Sequence, residues 1–225
     1  MIQKLDDTCT LHNGVKMPGF GFGTWQSAAG DITVSAVKAA VKAGYRNIDI
    51  AAAYHNEKSV GEGIRQAAED YGIKREELYR DGRVKAIGVS NFLSHHVQAL
   101  MEDADVVPMV NQIEYHPGFG QVESAGFCQA NGIIVQAWSP LGTGDVLKNH
   151  VLEKIAAKHG KTTAHICLRW LIQKDIVPLP KSVHEERIIS NTQVFDFELS
   201  ASDTAEIDAV PYCGGMRFDP DAARS

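Results

Sequence analysis

Short apolar runs rich in β-branched residues alternate along the chain with longer stretches in which apolar residues recur at helical spacing. Asp31 to Ala43 carries Val34, Val37, Ala40 and Val41 on one stripe and stops at Gly44, which predicts a capped helix. Glu57 to Tyr71 predicts a second helix, again followed by a glycine. Further helices are expected at about Ser94 to Met101, Val122 to Asn131, Val151 to His159, Thr163 to Lys174, Glu185 to Thr192 and Ala201 to Val210. Between them lie strand-like segments at Gly19 to Thr24, Arg46 to Ile50, Val84 to Val89, Met109 to Glu114, Ile133 to Ala137 and Ile176 to Leu179. Strand and helix in alternation is the signature of βα units on a parallel sheet, so the fold class is α/β. Ahead of these units, Leu11 to Lys16 with Asn13-Gly14 at its centre reads as a hairpin with a two-residue turn, closing the N-terminal end of a sheet or barrel.

A parallel barrel of this type closes with eight strands, and the pattern yields about six. The shortfall falls near Leu78, where Lys74-Arg75-Glu76-Glu77-Leu78 runs into Tyr79-Arg80-Asp81-Gly82-Arg83 with no strand between them. The polar tail from Arg217 to Ser225 lacks an apolar period and is expected to lie over the surface or to be disordered.

With 225 residues, 44% hydrophobic and 22% charged, the chain can bury a sizeable core, and one domain over 1–225 suffices. A net charge of -6 gives no general basic surface, and the only local cationic patch is Lys181 to Arg187, so neither nucleic acid nor membrane is an expected partner. No positive segment precedes an apolar one at the N-terminus, and no run approaches the ~20 apolar residues of a membrane span. A cytoplasmic location is expected. Cys9, Cys128, Cys167 and Cys213 form no C-x-x-C pair, which suits reduced thiols and argues against zinc. His95-His96, at a helix start, reads as solvated because adjacent helical residues do not share a face, and the other histidines are isolated, so no metal is expected. Gly19-x-Gly21-x-Gly23 does not continue into a helix as a dinucleotide fingerprint would.

One pair carries candidate chemistry. Tyr54 follows Asp49 by five residues at the end of an apolar strand. A phenol made acidic is the proton donor needed when a hydride reaches a carbonyl carbon, and a carboxylate is a natural electrostatic companion for it.

The segments Gly21-Phe22-Gly23-Thr24-Trp25, Asn47-Ile48-Asp49 with Tyr54 and Asn56-Glu57, and Gly82-Arg83-Val84-Lys85-Ala86-Ile87-Gly88-Val89-Ser90-Asn91-Phe92 have a family resemblance. So do Asn111-Gln112-Ile113-Glu114-Tyr115-His116-Pro117, Ala137-Trp138-Ser139-Pro140-Leu141-Gly142 and Ile176-Val177-Pro178-Leu179-Pro180-Lys181-Ser182. In order and spacing, over nearly the whole chain, they resemble the aldo-keto reductases, specifically the small soluble prokaryote-like members. The resemblance implies a (β/α)8 TIM-type barrel from which two βα units, roughly 60 residues, are absent after Leu78. It implies NADPH or NADP as cofactor, small aldehydes or ketones as substrates, and catalysis by Tyr54 with Asp49. A complete barrel of this kind would be a monomer.

The absent stretch would carry a catalytic Lys and a catalytic His, and no residue here, Lys74 and Lys85 included, is assigned to either role. A free phenol has a pKa of ~10 and is a poor acid without a neighbouring cation. General acid catalysis is worth ~100 to 10,000-fold, so weak or no turnover is expected of this chain. A non-catalytic NADPH-binding protein, or a truncated inactive chain, is the alternative.

On the cofactor side, Lys181 and Arg187 bracket a strand-to-helix turn with Ser182 and Val183 at the helix start, an arrangement suited to the 2'-phosphate. By the same resemblance Asn191 contacts the adenine, with Ser190 beside it in place of a frequent acidic residue, and Trp138 lies against the nicotinamide. Ser90, Asn91 and Gln112 hold the carboxamide, while Ser139, Leu141 and Gly142 line the pyrophosphate path. Gly23 and Thr24 flank the ribose, Asp49 counts among the cofactor contacts as well, and Trp25 with Tyr54 borders the substrate.

Overall fold

The computed structural model describes residues 2–72, 86–216 and 219–221. The expected junction near Leu78 to Asp81, the start of the Val84 strand, and most of the polar tail lie outside them. The element order is β1 (Thr8–Thr10), β2 (Lys16–Pro18), β3 (Phe22–Gly23), α1 (Asp31–Lys42), β4 (Ile48–Asp49), a 3-10 turn (Ala52–Tyr54) and α2 (Glu57–Tyr71). It continues with β5 (Gly88–Ser90), α3 (Ser94–Asp103), β6 (Val110–Glu114), α4 (Val122–Ala130) and β7 (Ile134–Trp138). A 3-10 segment (Gly142–Lys148), α5 (His150–His159), α6 (Thr163–Gln173), β8 (Ile176–Pro178), α7 (Glu185–Ser190) and α8 (Ala201–Asp208) complete it.

β5, β6, β7 and β8 form a parallel sheet in that order, and β3 pairs in parallel with β4. Two backbone hydrogen bonds stitch these sheets together: Gly21 N–H donates to Pro178 O at 3.1 Å and Gly23 N–H to Pro180 O at 3.0 Å. The strands therefore wrap in the order β4, β3, β8, β7, β6, β5. This is the parallel arc of a (β/α)8 barrel, and among the described residues its two outer strands, β4 and β5, pair with no further strand. Gly23 is a glycine for the seam's sake, since a Cβ there would stand 2.9 Å from the Leu179 carbonyl oxygen.

Several expectations need correcting. The hairpin is longer than a two-residue turn: β1 and β2 are joined by Leu11 to Val15, closed by Leu11 N–H to Val15 O at 2.8 Å. Leu11 is buried in the barrel floor, and that holds the chain back from pairing sooner. Strand one shrinks from Gly19 to Thr24 to Phe22–Gly23, which pairs with β4 on one side while the Gly21 and Gly23 N–H groups donate to the β8 segment on the other. Strand two likewise keeps only Ile48–Asp49. α1 begins at Asp31 after Gly30, which offers no side-chain cap, and its buried face is Thr33, Ala36, Val37, Ala40 and Val41, with Val34 only partly covered. α7 and α8 end at Ser190 and Asp208, two residues before their expected ends.

The apolar residues gather into two clusters. One lies under β6 and β7 around Ile113, Val135, Leu152, Ile155 and Trp170, and the other under β3 around Phe20, Phe22, Val37, Tyr45 and Ile188. Tyr45 is fully buried, and its hydroxyl donates to Ile188 O at 3.1 Å, which fixes α7 over this second cluster. α6 serves both, giving Ile166, Cys167, Trp170 and Leu171 to the first and Leu168 and Ile172 to the second. Leu141 and Phe197, partly buried, touch both.

α1 and α2 pack closely at Gly63, where an added Cβ would meet Val37 Cβ at 2.8 Å and the Val34 carbonyl at 2.9 Å. Gly61, on the same helix, would meet nothing within 4 Å. Gly61→Ala should therefore stabilise the fold by about 0.5–1 kcal/mol through helix propensity, and Gly63→Ala should destabilise it by about 1–3 kcal/mol through overpacking. Denaturant midpoints of the two variants check this; a shift of the same sign in both would contradict the packing argument.

Candidate active site

In a parallel barrel the strands' carboxyl ends share one face, so the loops after them bring together residues far apart in sequence. β4 ends at Asp49, and the chain then makes a single 3-10 turn in which Tyr54 N–H donates to Ala51 O at 2.9 Å. That turn carries the phenol back over the strand end, where its hydroxyl donates to Asp49 Oδ2 at 3.2 Å. His55 then takes a left-handed conformation (φ 54°), and buried Asn56 donates to Thr24 O at 2.9 Å and Ser27 O at 3.2 Å. The loop after β4 is thus anchored to the loop after β3 before α2 begins. The Trp25 ring meets Tyr54 edge-on, with centroids 4.9 Å apart.

One hydrogen-bonded chain runs around the face from Asp49. Thr24 Oγ1 donates to Asp49 O at 2.7 Å, and Gln112 Nε2 on β6 donates to Asp49 Oδ1 at 2.9 Å. The Gln112 carbonyl accepts from Asn91 N–H at 2.8 Å and from Ser90 Oγ at 3.1 Å. Asn91 Oδ1 in turn accepts from Trp138 Nε1 at 2.8 Å. Thr24, Asp49, Tyr54, Ser90, Asn91, Gln112 and Trp138 are therefore one assembly. Backbone strain collects at its edge: Gln26, His55, Asn91 and Ser139, none of them glycine, all have φ between 46° and 59°.

Below this assembly lies a cavity of about 540 Å³, bounded by Asp49 and Tyr54 on one side, Ser90 and Val89 on the other, and the β1–β2 hairpin beneath. Burial holds the Asp49 carboxyl above its ordinary pKa, with the bonds from Gln112 and Tyr54 pulling the other way. Tyr54 is held well above the ordinary phenol value, first by burial and then by the charge and hydrogen bond of Asp49. Among the described residues no Lys, Arg or His forms an ion pair with Asp49. The carboxylate thus makes the phenol a weaker acid.

The remaining candidates lie apart from this chain of bonds. Lys181 donates to Gln26 O at 3.3 Å, tying the loop after β8 to that after β3, and Arg187 is exposed on α7. Ser182 is buried and its hydroxyl is engaged locally, accepting from His184 N–H at 3.1 Å. Val183 is partly exposed, Asn191 is buried, and the Ser190 hydroxyl lies 2.9 Å from His165 Nε2. Leu141 packs into the core, and Gly142 is buried against His116.

Two residues of the site carry no sequence assignment. Gln136 lies directly across from Gln112 in the β6–β7 register and accepts from its Nε2 at 3.3 Å. The usable signal was a polar residue at the same inward register position on two adjacent, otherwise apolar strands. Asn56 precedes Glu57 as a helix cap would, but its amide serves the β3 loop instead.

His95 and His96 also depart from expectation. Their rings stand 4.0 Å apart, and their Nε2 atoms lie 3.0 and 3.1 Å from Asp221 Oδ1. Both sit in the first turn of α3, where no preceding turn holds the side chains apart, and one carboxylate draws them together. His96 Nδ1 accepts from Leu93 N–H at 3.2 Å, which puts the ring proton on Nε2, facing Asp221. The trio forms a hydrogen-bonded clasp whose nitrogen and oxygen atoms all lie within 4.8 Å of one another.

The family model for the Aldo/keto reductase family matches residues 19–75 and 74–211, in two pieces that meet at Lys74 and Arg75. The glyoxal reductase of Bacillus subtilis (strain 168) is 41% identical over 261 aligned residues, covering 93% of this chain and 95% of that one. The 9,11-endoperoxide prostaglandin H2 reductase of Trypanosoma cruzi (strain CL Brener) is 37% identical over 266 residues, covering 94% of each. Both alignments are longer than the 225 residues of this chain, so the relatives carry residues inside the matched span that it lacks. The break in the family match lies a few residues before the expected position. Among solved structures, the aldose reductase from Schistosoma japonicum superimposes with a TM-score of 0.87 at 26% identity, covering 94% of each chain. Profile, relatives and fold agree: the chain belongs to the aldo/keto reductase family.

Proposed function

We propose that the chain is a carbonyl reductase that uses NADPH, with Tyr54 as the proton donor to the substrate oxygen. The observation that carries the reading is the Tyr54 hydroxyl, 3.2 Å from the Asp49 carboxylate, at the carboxyl ends of the strands and beside Trp25. A small aldehyde or ketone suits this position, and the activity named for the Bacillus subtilis relative points the same way. When bound, the reduced nicotinamide supplies the hydride.

The donor set suits such a cofactor. Lys181 and Arg187 have no carboxylate within ion-pair distance among the described residues, whereas Glu185 between them pairs with Lys42 at 3.5 Å. Two cations without carboxylate partners among the described residues, on one loop and the helix after it, favour the 2'-phosphate of NADPH over a bare ribose. Asn191 and the backbone of Val183 complete this end of the site, and buried Ser182 shapes the turn. Trp138, fixed by Asn91, is the aromatic plane for the nicotinamide, with Ser90, Asn91 and Gln112 as amide and hydroxyl partners. Ser139, Leu141 and Gly142 form the wall between the two ends, and Gly23 and Thr24 the edge next to Asp49.

A second reading, a cofactor-binding protein with little turnover, is favoured by the raised Tyr54 phenol, since a weaker acid protonates an alkoxide more slowly. The readings differ in rate, and both keep the same residues around the cofactor.

Replacing Lys181 and Arg187 by Ala should abolish any preference for NADPH over NADH in fluorescence titrations; an unchanged preference would sink the phosphate assignment. Tyr54→Phe should lower whatever reduction the protein performs by about 100-fold or more, while cofactor affinity stays the same. Ultraviolet titration of phenolate, read as the difference between the protein and Tyr54→Phe, should place the Tyr54 midpoint above the ordinary value of ~10. Because Asp49 raises that midpoint, Asp49→Asn should bring it down, and an unmoved midpoint would show that the two groups are not coupled.

A further inference from the structure

Three side chains with metal-ligating atoms converge at the start of α3. The Nε2 atoms of His95 and His96 lie 3.0 and 3.1 Å from the same Asp221 oxygen, Oδ1, and all three atoms fall within 4.8 Å of one another. Zn2+ binds imidazole nitrogen at ~2.0–2.1 Å and carboxylate oxygen at ~2.0–2.2 Å, which puts tetrahedral neighbours about 3.4 Å apart. The two nitrogen–oxygen separations are within about half an ångström of that spacing. The local charges also admit a cation. The positive amino end of α3 opposes one, but Asp221 supplies a carboxylate, and Glu123 on α4 supplies another, accepting from the hydroxyl of Ser94, the residue before His95, at 3.0 Å. His95 and Asp221 are more than half exposed, so a hydrated ion has access.

We propose that His95, His96 and Asp221 form a binding site for a divalent transition-metal ion of the zinc type, held by two imidazole nitrogens and one carboxylate oxygen with water in the remaining position. The donor set selects the class. Imidazole suits Zn2+ and its neighbours in the transition series, whereas Mg2+ and Ca2+ take oxygen ligands, so the site discriminates against them. Ligation needs a bare Nε2 on both rings. In His96 the proton therefore moves from Nε2 to Nδ1, at the expense of the 3.2 Å hydrogen bond from Leu93 N–H, and the metal replaces that proton as the link to Asp221. The ion then joins the start of α3 to a residue 126 positions beyond His95. The Phe92 ring meets His96 edge-on with centroids 5.7 Å apart, so an ion held there also steadies the loop that leads from Ser90 and Asn91 into α3. The site uses none of the residues around Asp49 and Tyr54, and it stands whether or not the chain reduces carbonyls.

The test is calorimetric titration of the chelator-treated full chain with zinc chloride, with magnesium chloride as control. Saturable binding of one Zn2+ and none of Mg2+ is expected. His95→Gln or Asp221→Asn should weaken the Zn2+ binding by about 100-fold or more, since loss of even an outer-shell partner costs ~10- to 100-fold. Both side chains are more than half exposed, so neither replacement removes a core contact. No saturable Zn2+ binding, or binding that both variants retain, overturns the site; the second result assigns the ion to other histidines or to the thiols. Long-range nitrogen–proton NMR of the imidazole rings supplies a readout that needs no loss of a ligand. Zn2+ should shift Nε2 of His95 and His96 and transfer the His96 ring proton to Nδ1. A His96 ring that keeps its proton on Nε2 in the saturated protein overturns the assignment.

Discussion

The bond from Gln112 to Asp49 is the constraint on which the rest of the site depends. β4 and β6 are not neighbours in the arc; four intervening strand steps separate them by way of β3, β8 and β7. The 2.9 Å contact between their side chains crosses the barrel interior directly. It ties the outer strand β4 to β6, fixes the Asp49 carboxylate, and thereby sets where Tyr54 finds its partner. Gln136 and Met17 continue the line downward, with Gln136 Nε2 3.5 Å from Met17 Sδ, so the hairpin floor and the rim at the strand ends share one support.

That same carboxylate works against the chemistry beside it. A buried anion next to a phenol stabilises the protonated phenol, by charge and by accepting its hydrogen bond, so position and acidity are at odds in Tyr54. Geometry is preserved while tuning is not.

Much of this was legible in the chain. Helical spacing located α2 to the residue, and Gly72 stops it in the left-handed conformation that a terminal glycine allows. Asp49 and Tyr54 were readable because five residues and one tight turn suffice to bring them together. The shortness of β3 and β4 was not, because strand length there is set by pairing with segments far away in the sequence. The hairpin loop was misjudged for a related reason, since burial of Leu11 is a tertiary fact that outweighs the Asn-Gly signal. The links from Gln112 to Asp49 and from Trp138 to Asn91 join residues 63 and 47 positions apart, beyond the reach of local spacing. The clasp of His95, His96 and Asp221 was likewise invisible, because it pairs the start of a helix with the end of the chain.

α6 shows where such a fold can and cannot change length. Its buried run from His165 to Ile172 faces two cores at once. Inserting or deleting one residue rotates everything after it by about 100° about the helix axis, which would exchange the side chains meant for one core with those meant for the other. Genetic gain or loss of residues should therefore be filtered out in α6 during descent.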